Sequence, residues 1–414
     1  MTSTTGLPPT KTLRLASARR RVRAFLDQIA DLERADFPHA DGHEALQLLK
    51  REFATRQRSL DRIPDTVADA VVDEVCAETS VFLARYTDIL GFILRSTNVR
   101  NAFEVHFPLK RLVQKVISTD AKLVMSSEWN FVPFTWPMNL DVLSDFVLVG
   151  GPAPESGNVL IIPLAGHEIG HSAWRHAGVS MKIGARLFAA VETAIDGLPE
   201  DRDRIVADLG RVDRDISWLQ HASFESARKQ LEEIFCDMFA LYVFGPSFAF
   251  AYEYFLAPGK SFRSVTYPSS RNRVNYLLDG AKTLGLEIKG EELFLNWQDS
   301  GTPAGIHGDI LLFADVAVDT LFPTVRDLAF EILKQAGVPM CDDVVIQRVE
   351  TALAHGAPDG GGATLAEIVT AGWKLLRAKG GLAGDGDQKE LIMLNELMLK
   401  SVEVSEFRLR IEHA

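Results

Sequence analysis

The sequence predicts a mainly α-helical protein with a small β-sheet near the middle of the chain. Apolar residues recur at intervals of three and four positions over most of its length, as they do on one face of a helix. Between about residues 121 and 163 the pattern changes to aromatic residues, prolines and short apolar runs, which are typical of strands. We therefore expect helical bundle regions on both sides of a central core that contains the sheet.

The first part of the chain is predicted to be helical after a short irregular start. Residues 1–10 contain Thr, Ser and Pro and are predicted to be a disordered lead-in. Helical spacing begins near Lys11 and is interrupted at Pro64, where a long helix is predicted to open. Residues 11–118 therefore form a predicted N-terminal helical region, which carries no chemical signature of its own.

Glycines and prolines define the later elements. The clearest strand is Asp145–Gly150, with the sequence DFVLVG. Helical spacing resumes near Val159 and continues with interruptions at Gly178, Pro199, Pro246, Pro258, 355–363 and 380–387. From these changes we predict a core domain over residues 119–290 and a C-terminal helical region over 291–414.

Composition disfavours several classes of protein. The 414 residues include 44 Lys and Arg against 56 Asp and Glu, and the resulting net charge of −12 disfavours nucleic-acid binding. No run reaches the roughly 18 apolar residues of a membrane-spanning helix, so no membrane insertion is expected. Three well-separated cysteines, Cys76, Cys236 and Cys341, favour reduced thiols in a cytoplasmic protein over a disulfide scaffold. The arginine-rich first helix also fits an organellar transit peptide.

The most specific chemical signal is an HExxH motif at residues 167–171. On a helix, His167 and His171 share one face, so both imidazoles can reach one metal ion. Glu168 is then placed to take a proton from a metal-bound water. The alternative is a buried helix whose two histidines are satisfied by hydrogen bonds alone. The apolar run Val159–Leu164 indicates an interior helix, where unpaired polar groups are costly.

A second pair of residues offers the remaining ligand. A catalytic zinc site has three protein ligands and a water, so the motif needs one more. Glu233 and Asp237 are four residues apart and share a helical face within an otherwise apolar segment. We predict that Glu233 binds the metal and that Asp237 accepts a hydrogen bond from a ligand histidine. Glu232 points about 100° away on the helix and is predicted to be an ordinary exposed acid.

These motifs resemble the gluzincin class of zinc metallopeptidases, in which HExxH is followed by ExxxD on a second helix. The block EIFCDMFA is similar to the E-x-x-A-D-x-x-A block of the CaaX prenyl protease and heat-shock protease X family, with Cys236 in place of its Ala. The segment Tyr267–Leu277 resembles the family's H-P-x-x-x-x-R-I-x-x-L block, with Tyr267 in place of its His. The resemblance covers about residues 159–277, excludes the membrane helices of that family, and implies zinc-dependent peptide hydrolysis.

The expected activity is that of a zinc metalloendopeptidase acting on a peptide or protein substrate. A single Zn²⁺ is expected per chain, with Glu168 as the general base. A nearby side chain would stabilise the developing oxyanion, and the candidates are Tyr267, His221 and Arg271. The DFVLVG strand is expected to be an edge strand that an extended substrate can join.

Three alternatives remain open at the level of the sequence. The same residues suit a metal-dependent hydrolase of a non-peptide substrate, such as an amide or epoxide. They also suit a regulatory or binding protein with a structural zinc site, although such a site has no use for the general base Glu168. Repressor-cleaving metallopeptidases also share HExxH and a downstream glutamate helix, but with a shorter spacing. The sequence gives no indication of oligomeric state.

Overall fold

A computed structural model shows the mainly helical fold that the sequence predicts. It describes residues 10–64, 66–97, 103–129, 134–135, 141–197, 199–211, 214–257, 261–288, 293–295, 297–378 and 387–412. Within these residues there are fourteen α-helices and one three-stranded sheet. Of the predicted lead-in, all but Thr10 lies outside the described residues, as does the predicted break at Pro258.

The chain divides into two compact units, and the division differs from the predicted one. The N-terminal unit combines Met1–Phe103 with Lys122–Pro154, and the main unit combines Glu104–Ala121 with Glu155–Ala414. The boundaries predicted at 118/119 and 290/291 are therefore not unit boundaries. The predicted C-terminal region is part of the main unit because its helix over Ile306–Gln335 packs against the helix over Ile216–Phe244.

The N-terminal unit contains three long helices and the sheet. Its elements are α1 (Thr10–Leu32), α2 (Ala40–Asp61), α3 (Asp69–Ser96), β1 (Lys122–Glu128), β2 (Phe134–Thr135) and β3 (Phe146–Pro152). Phe53 of α2 is fully buried, with its ring 5.3 Å from that of Phe25 in α1 and 4.9 Å from that of Phe82 in α3. Val124 of β1 and Leu148 of β3 belong to the same apolar core. Helices and sheet are therefore joined by one core.

The strand DFVLVG lies in the middle of the sheet, which corrects the expectation of an edge strand. The strand order is β1-β3-β2, with β1 parallel and β2 antiparallel to β3. The register pairs Lys122 with Phe146 and Thr135 with Val149. The apolar run of β3 is continuous because a strand in the middle of the sheet is buried on both faces. The sheet also belongs to the N-terminal unit, not to the predicted core domain.

The main unit is helical in its described residues, apart from one isolated bridge between Phe262 and Gly301. Its helices are α4 (His106–Val116), α5 (Pro163–His176), α6 (Val179–Asp196), α7 (Pro199–Gly210), α8 (Ile216–Phe244), α9 (Pro246–Leu256), α10 (Ser270–Thr283), α11 (Ile306–Gln335), α12 (Asp343–Ala354), α13 (Leu365–Ala378) and α14 (Asp387–Glu412). None of the described helices in either unit is long and apolar enough to cross a membrane.

Helix α8 is the centre of the main unit. The carboxylate of Asp215 accepts a hydrogen bond of 2.9 Å from the Trp218 amide, which fixes the start of the helix. The helix ends at Gly245, whose φ of 55° favours glycine, and Pro246 opens α9. Its second half is buried on nearly all sides, and α5, α10 and α11 pack against it. Carboxylates in this half must therefore have partners on those helices.

Candidate metal centre

Two glycines let α5 and α8 approach each other closely. A Cβ atom built on Gly170 would lie 2.9 Å from the Cα of Cys236, and one built on Gly166 would lie 2.8 Å from the ring of Phe244. The contact with the Cys236 backbone requires glycine at position 170, and a side chain at position 166 would force the Phe244 ring to move. The HExxH turn of α5 thus lies directly against the acidic turn of α8.

Each motif histidine is held by a carboxylate at its Nδ1 atom. The Nδ1 of His167 lies 2.8 Å from the Oδ1 of Asp237, as predicted, and the Nδ1 of His171 lies 3.0 Å from the Oε1 of Glu232. A carboxylate can only accept, so both histidines donate from Nδ1. This arrangement leaves both Nε2 atoms to face a metal ion, which would displace the proton that the Nε2 of His167 carries. The interpretation of Glu232 as an ordinary exposed acid is wrong, because it holds the second histidine.

The carboxylate of Glu233 faces both free nitrogens. Its Oε2 lies 3.4 Å from the Nε2 of His167, and its Oε1 lies 3.6 Å from the Nε2 of His171. Burial lowers the pKa of His167, but the hydrogen bonds and charges of Asp237 and Glu233 outweigh it and raise that pKa to about 10. Burial raises the pKa of Glu233, yet His167 and Arg273 more than offset this and hold it below its ordinary value. Two imidazoles and one carboxylate therefore converge, as the sequence predicts.

Glu168 is buried beside these groups and keeps its acceptor capacity. The Glu168 side chain makes no hydrogen bond within the described part of the chain, and the residue is only 7% exposed. Burial raises its pKa, while the neighbouring imidazoles His167 and His171 oppose that increase. A carboxyl group with a raised pKa is better suited to accept a proton and then return it.

Arg273 of α10 is a central residue of the site that the sequence analysis did not select. Its Nε donates to the Oδ2 of Asp237 at 2.6 Å, and its Nη2 donates to the Oδ1 of Asp237 at 2.9 Å and to Glu233 at 3.3 Å. Although burial opposes it, the guanidinium charge lowers the pKa of Asp237 to about 2. The Arg273 guanidinium also lies over the ring of Tyr252 at 5.1 Å. The signal was available, because Arg273 occupies the arginine position of the Tyr267–Leu277 block.

The three candidate oxyanion donors differ in position. Tyr267 lies beside the site, with its ring 5.8 Å from the Cζ of Arg273, and the charge of Glu233 raises its pKa. Arg271 is exposed at the start of α10 and makes none of the contacts made by Arg273. His221 is exposed and precedes Glu233 by twelve residues on α8, which is about 18 Å along the helix. The structure therefore brings Tyr267 to the site and leaves His221 away from it.

Cys236 is a further donor at this centre. Its Sγ and one ring nitrogen of each motif histidine lie within 4.8 Å of one another. The thiol is fully buried, and burial raises its pKa well above the ordinary value. Glu233 fits a catalytic zinc site better, because its oxygens face the two free Nε2 atoms and its pKa keeps it ionised. The donor set present, two imidazoles and a carboxylate, fits Zn²⁺.

Comparisons with known protein families, with curated proteins and with solved structures gave no match.

Proposed function

We propose that this protein is a zinc-dependent metallopeptidase. One observation carries the proposal: the Nε2 atoms of His167 and His171 both face the Glu233 carboxylate, while their Nδ1 atoms are held by other carboxylates. Such an arrangement fixes the tautomer that a metal ligand needs. A purely structural pair of buried histidines does not require a third, ionised carboxylate on its free nitrogens.

The proposed roles divide between holding the metal and moving protons. His167, His171 and Glu233 would hold Zn²⁺, which supplies Lewis acidity and lowers the pKa of a water molecule. Glu168 takes a proton from the attacking water at its carboxylate and passes it to the amine that leaves. The phenol of Tyr267 donates a hydrogen bond to the carbonyl oxygen as negative charge develops there. The peptide C–N bond breaks, and water supplies the hydroxyl and the proton.

The substrate class proposed is a peptide or protein, and the proposed compartment is the cytoplasm. Cys76, Cys236 and Cys341 are all unpaired, which supports a reducing compartment. A screen of the purified protein against a peptide library, with and without chelator, tests the substrate class. Chelator-sensitive hydrolysis of simple amides or epoxides, with no peptide cleaved, would instead identify a non-peptide hydrolase.

Metal content and catalysis can be separated by substitution. We expect a single Zn²⁺ per chain in the protein as isolated, and its loss in His167→Ala and His171→Ala. Glu168→Gln should keep the metal and lose about 10²–10⁴ in rate, as expected when a general base is removed. His221→Ala is the matched control and should keep both. A wild-type preparation that stays metal-free in zinc-supplemented buffer would contradict the proposal.

A further inference from the structure

The thiol of Cys236 is a potential ligand that the proposed reaction does not use. It lies within 4.8 Å of ring nitrogens on both His167 and His171, and the residue is fully buried. Its position results from the glycine contact, because a Cβ built on Gly170 would be 3.2 Å from the Sγ of Cys236. The sulfur therefore packs against α5 at the turn that carries both histidines.

The other two cysteines have no such surroundings. Cys341 lies at the far end of α8, where its Sγ is 3.7 Å from the carbonyl oxygen of Val243. Cys76 belongs to α3 of the N-terminal unit. Among the residues that the structure describes, one sulfur and two imidazoles come together at Cys236, and such a combination is typical of sites that bind soft or borderline cations.

We propose that Cys236 gives the centre a second donor set, in which it joins His167 and His171 to capture a soft cation such as Cd²⁺. This inference rests on the proposed function in one respect: both donor sets include the imidazoles of His167 and His171. On binding, the Sγ–H proton is released to solvent and a metal–thiolate bond forms, with no change of oxidation state. The set does not need Glu233, since soft cations prefer thiolate to carboxylate oxygen. A soft cation held in this way would exclude Zn²⁺ and stop hydrolysis.

The test compares Zn²⁺ and Cd²⁺ binding in matched variants. Cadmium is the probe, because thiolate-to-cadmium charge transfer gives an ultraviolet absorption band that reports the bond directly. In the wild type we expect this band on titration with Cd²⁺. Cys236→Ala should lose the band and weaken Cd²⁺ binding by more than about 100-fold, since losing a ligand costs more than losing a hydrogen-bonding partner of one. Cys341→Ala is the control and should behave as wild type.

Zinc binding by the variants tests whether each variant is folded. It also tests whether the two donor sets bind their metals independently. Cys236→Ala should bind Zn²⁺ with unchanged affinity, whereas Glu233→Gln should lose Zn²⁺ but keep the cadmium band. Cys236→Ser preserves the size of the side chain and should give no band. A cadmium complex without the band, or a band that persists in Cys236→Ala, would overturn the inference. A wild type that binds Cd²⁺ with the band but never Zn²⁺ would overturn the proposed function and leave this inference supported.

Discussion

Glu232 and Glu233 are adjacent acids with different tasks at the same centre. In the sequence they are separated by their angle on α8, which predicts a role only for Glu233. Glu232 also has a role because α5 presents two histidines one turn apart: Glu232 reaches the Nδ1 of His171, while Glu233 faces the Nε2 atoms of both histidines. Asp237 was predicted because its spacing from Glu233 is four residues.

Glu232→Ala should weaken zinc binding by about 10–100-fold, the usual cost of losing a carboxylate that orients a ligand histidine. His171 then loses the acceptor at its Nδ1 and is free to change tautomer. Zinc dissociation constants measured by competition with a chromophoric chelator test this. Glu403→Ala is the control, since Glu403 is exposed on α14 and pairs with Lys400, three residues away. Unchanged zinc affinity in Glu232→Ala would contradict the assignment.

The Asp237–Arg273 pair predicts a pH dependence of the metal-free protein. The folded pKa of Asp237 is about 2, below its ordinary value of 3.8, so ionised Asp237 stabilises the fold at all pH values above 3.8. That stabilisation is lost as the pH falls from 3.8 towards about 2. The difference in unfolding free energy between wild type and Asp237→Asn should therefore be constant between about pH 3.8 and 6.5 and shrink below pH 3.8. Above pH 6.5 the difference also falls, because Asp237 helps to raise the pKa of His167 to about 10 and His167 loses its charge in that range. Denaturant titrations over this range measure it, and a difference that stays constant would refute the ionised pair.

The positions of the helices along the chain could largely be predicted from the sequence, but the packing of one helix against another could not. Periodic apolar residues and the interruptions at Gly178, Pro199 and Pro246 predicted α5 to α9 because these signals are local. The order of the three strands depends on pairing between distant segments, and β2 is too short to leave a pattern. The same holds for α10, which brings Arg273 to Asp237 across 36 positions of sequence.

Gly170→Ala should destabilise the protein through the contact of α5 with α8. The added methyl group meets the backbone of Cys236, which cannot rotate away, and such overpacking costs about 1–3 kcal/mol. Gly184→Ala in α6 is the matched control, because its Cβ meets no atom within 4 Å. Because alanine favours the helical conformation more than glycine does, the unfolding free energy of that variant should rise by up to about 1 kcal/mol. Unfolding free energies of both variants test the contact, and equal effects would exclude it.

At the scale of the whole molecule, metal binding should increase the unfolding free energy. A ligand that binds only the folded state at a hundred times its dissociation constant stabilises that state by about 2.7 kcal/mol. Zinc should therefore raise the unfolding midpoint of the main unit, chelator should reverse the shift, and Glu233→Gln should show no shift. Calorimetry with each preparation measures these differences. A zinc-dependent shift of equal size in Glu233→Gln would mean that the ion binds elsewhere.

The division into units was the least predictable feature. Composition marks the sheet region near residue 121, but it cannot tell which helices that sheet will join. Val124 and Leu148 share a core with α1 to α3, and this pairing depends on tertiary contacts alone. The predicted boundary at 118/119 therefore fell between helices and strands that belong together.

The N-terminal unit is made from two stretches of chain, with Glu104–Ala121 between them in the main unit. No single breakpoint in the gene can consequently release either unit whole. A fragment that ends at residue 118 exposes the apolar face that β1 and β3 cover, and one that starts at residue 119 begins without α4. An expression library built from nested deletions would give aggregates on both sides of that point. A chain that joins Met1–Phe103 to Lys122–Pro154 would retain every segment of the smaller unit.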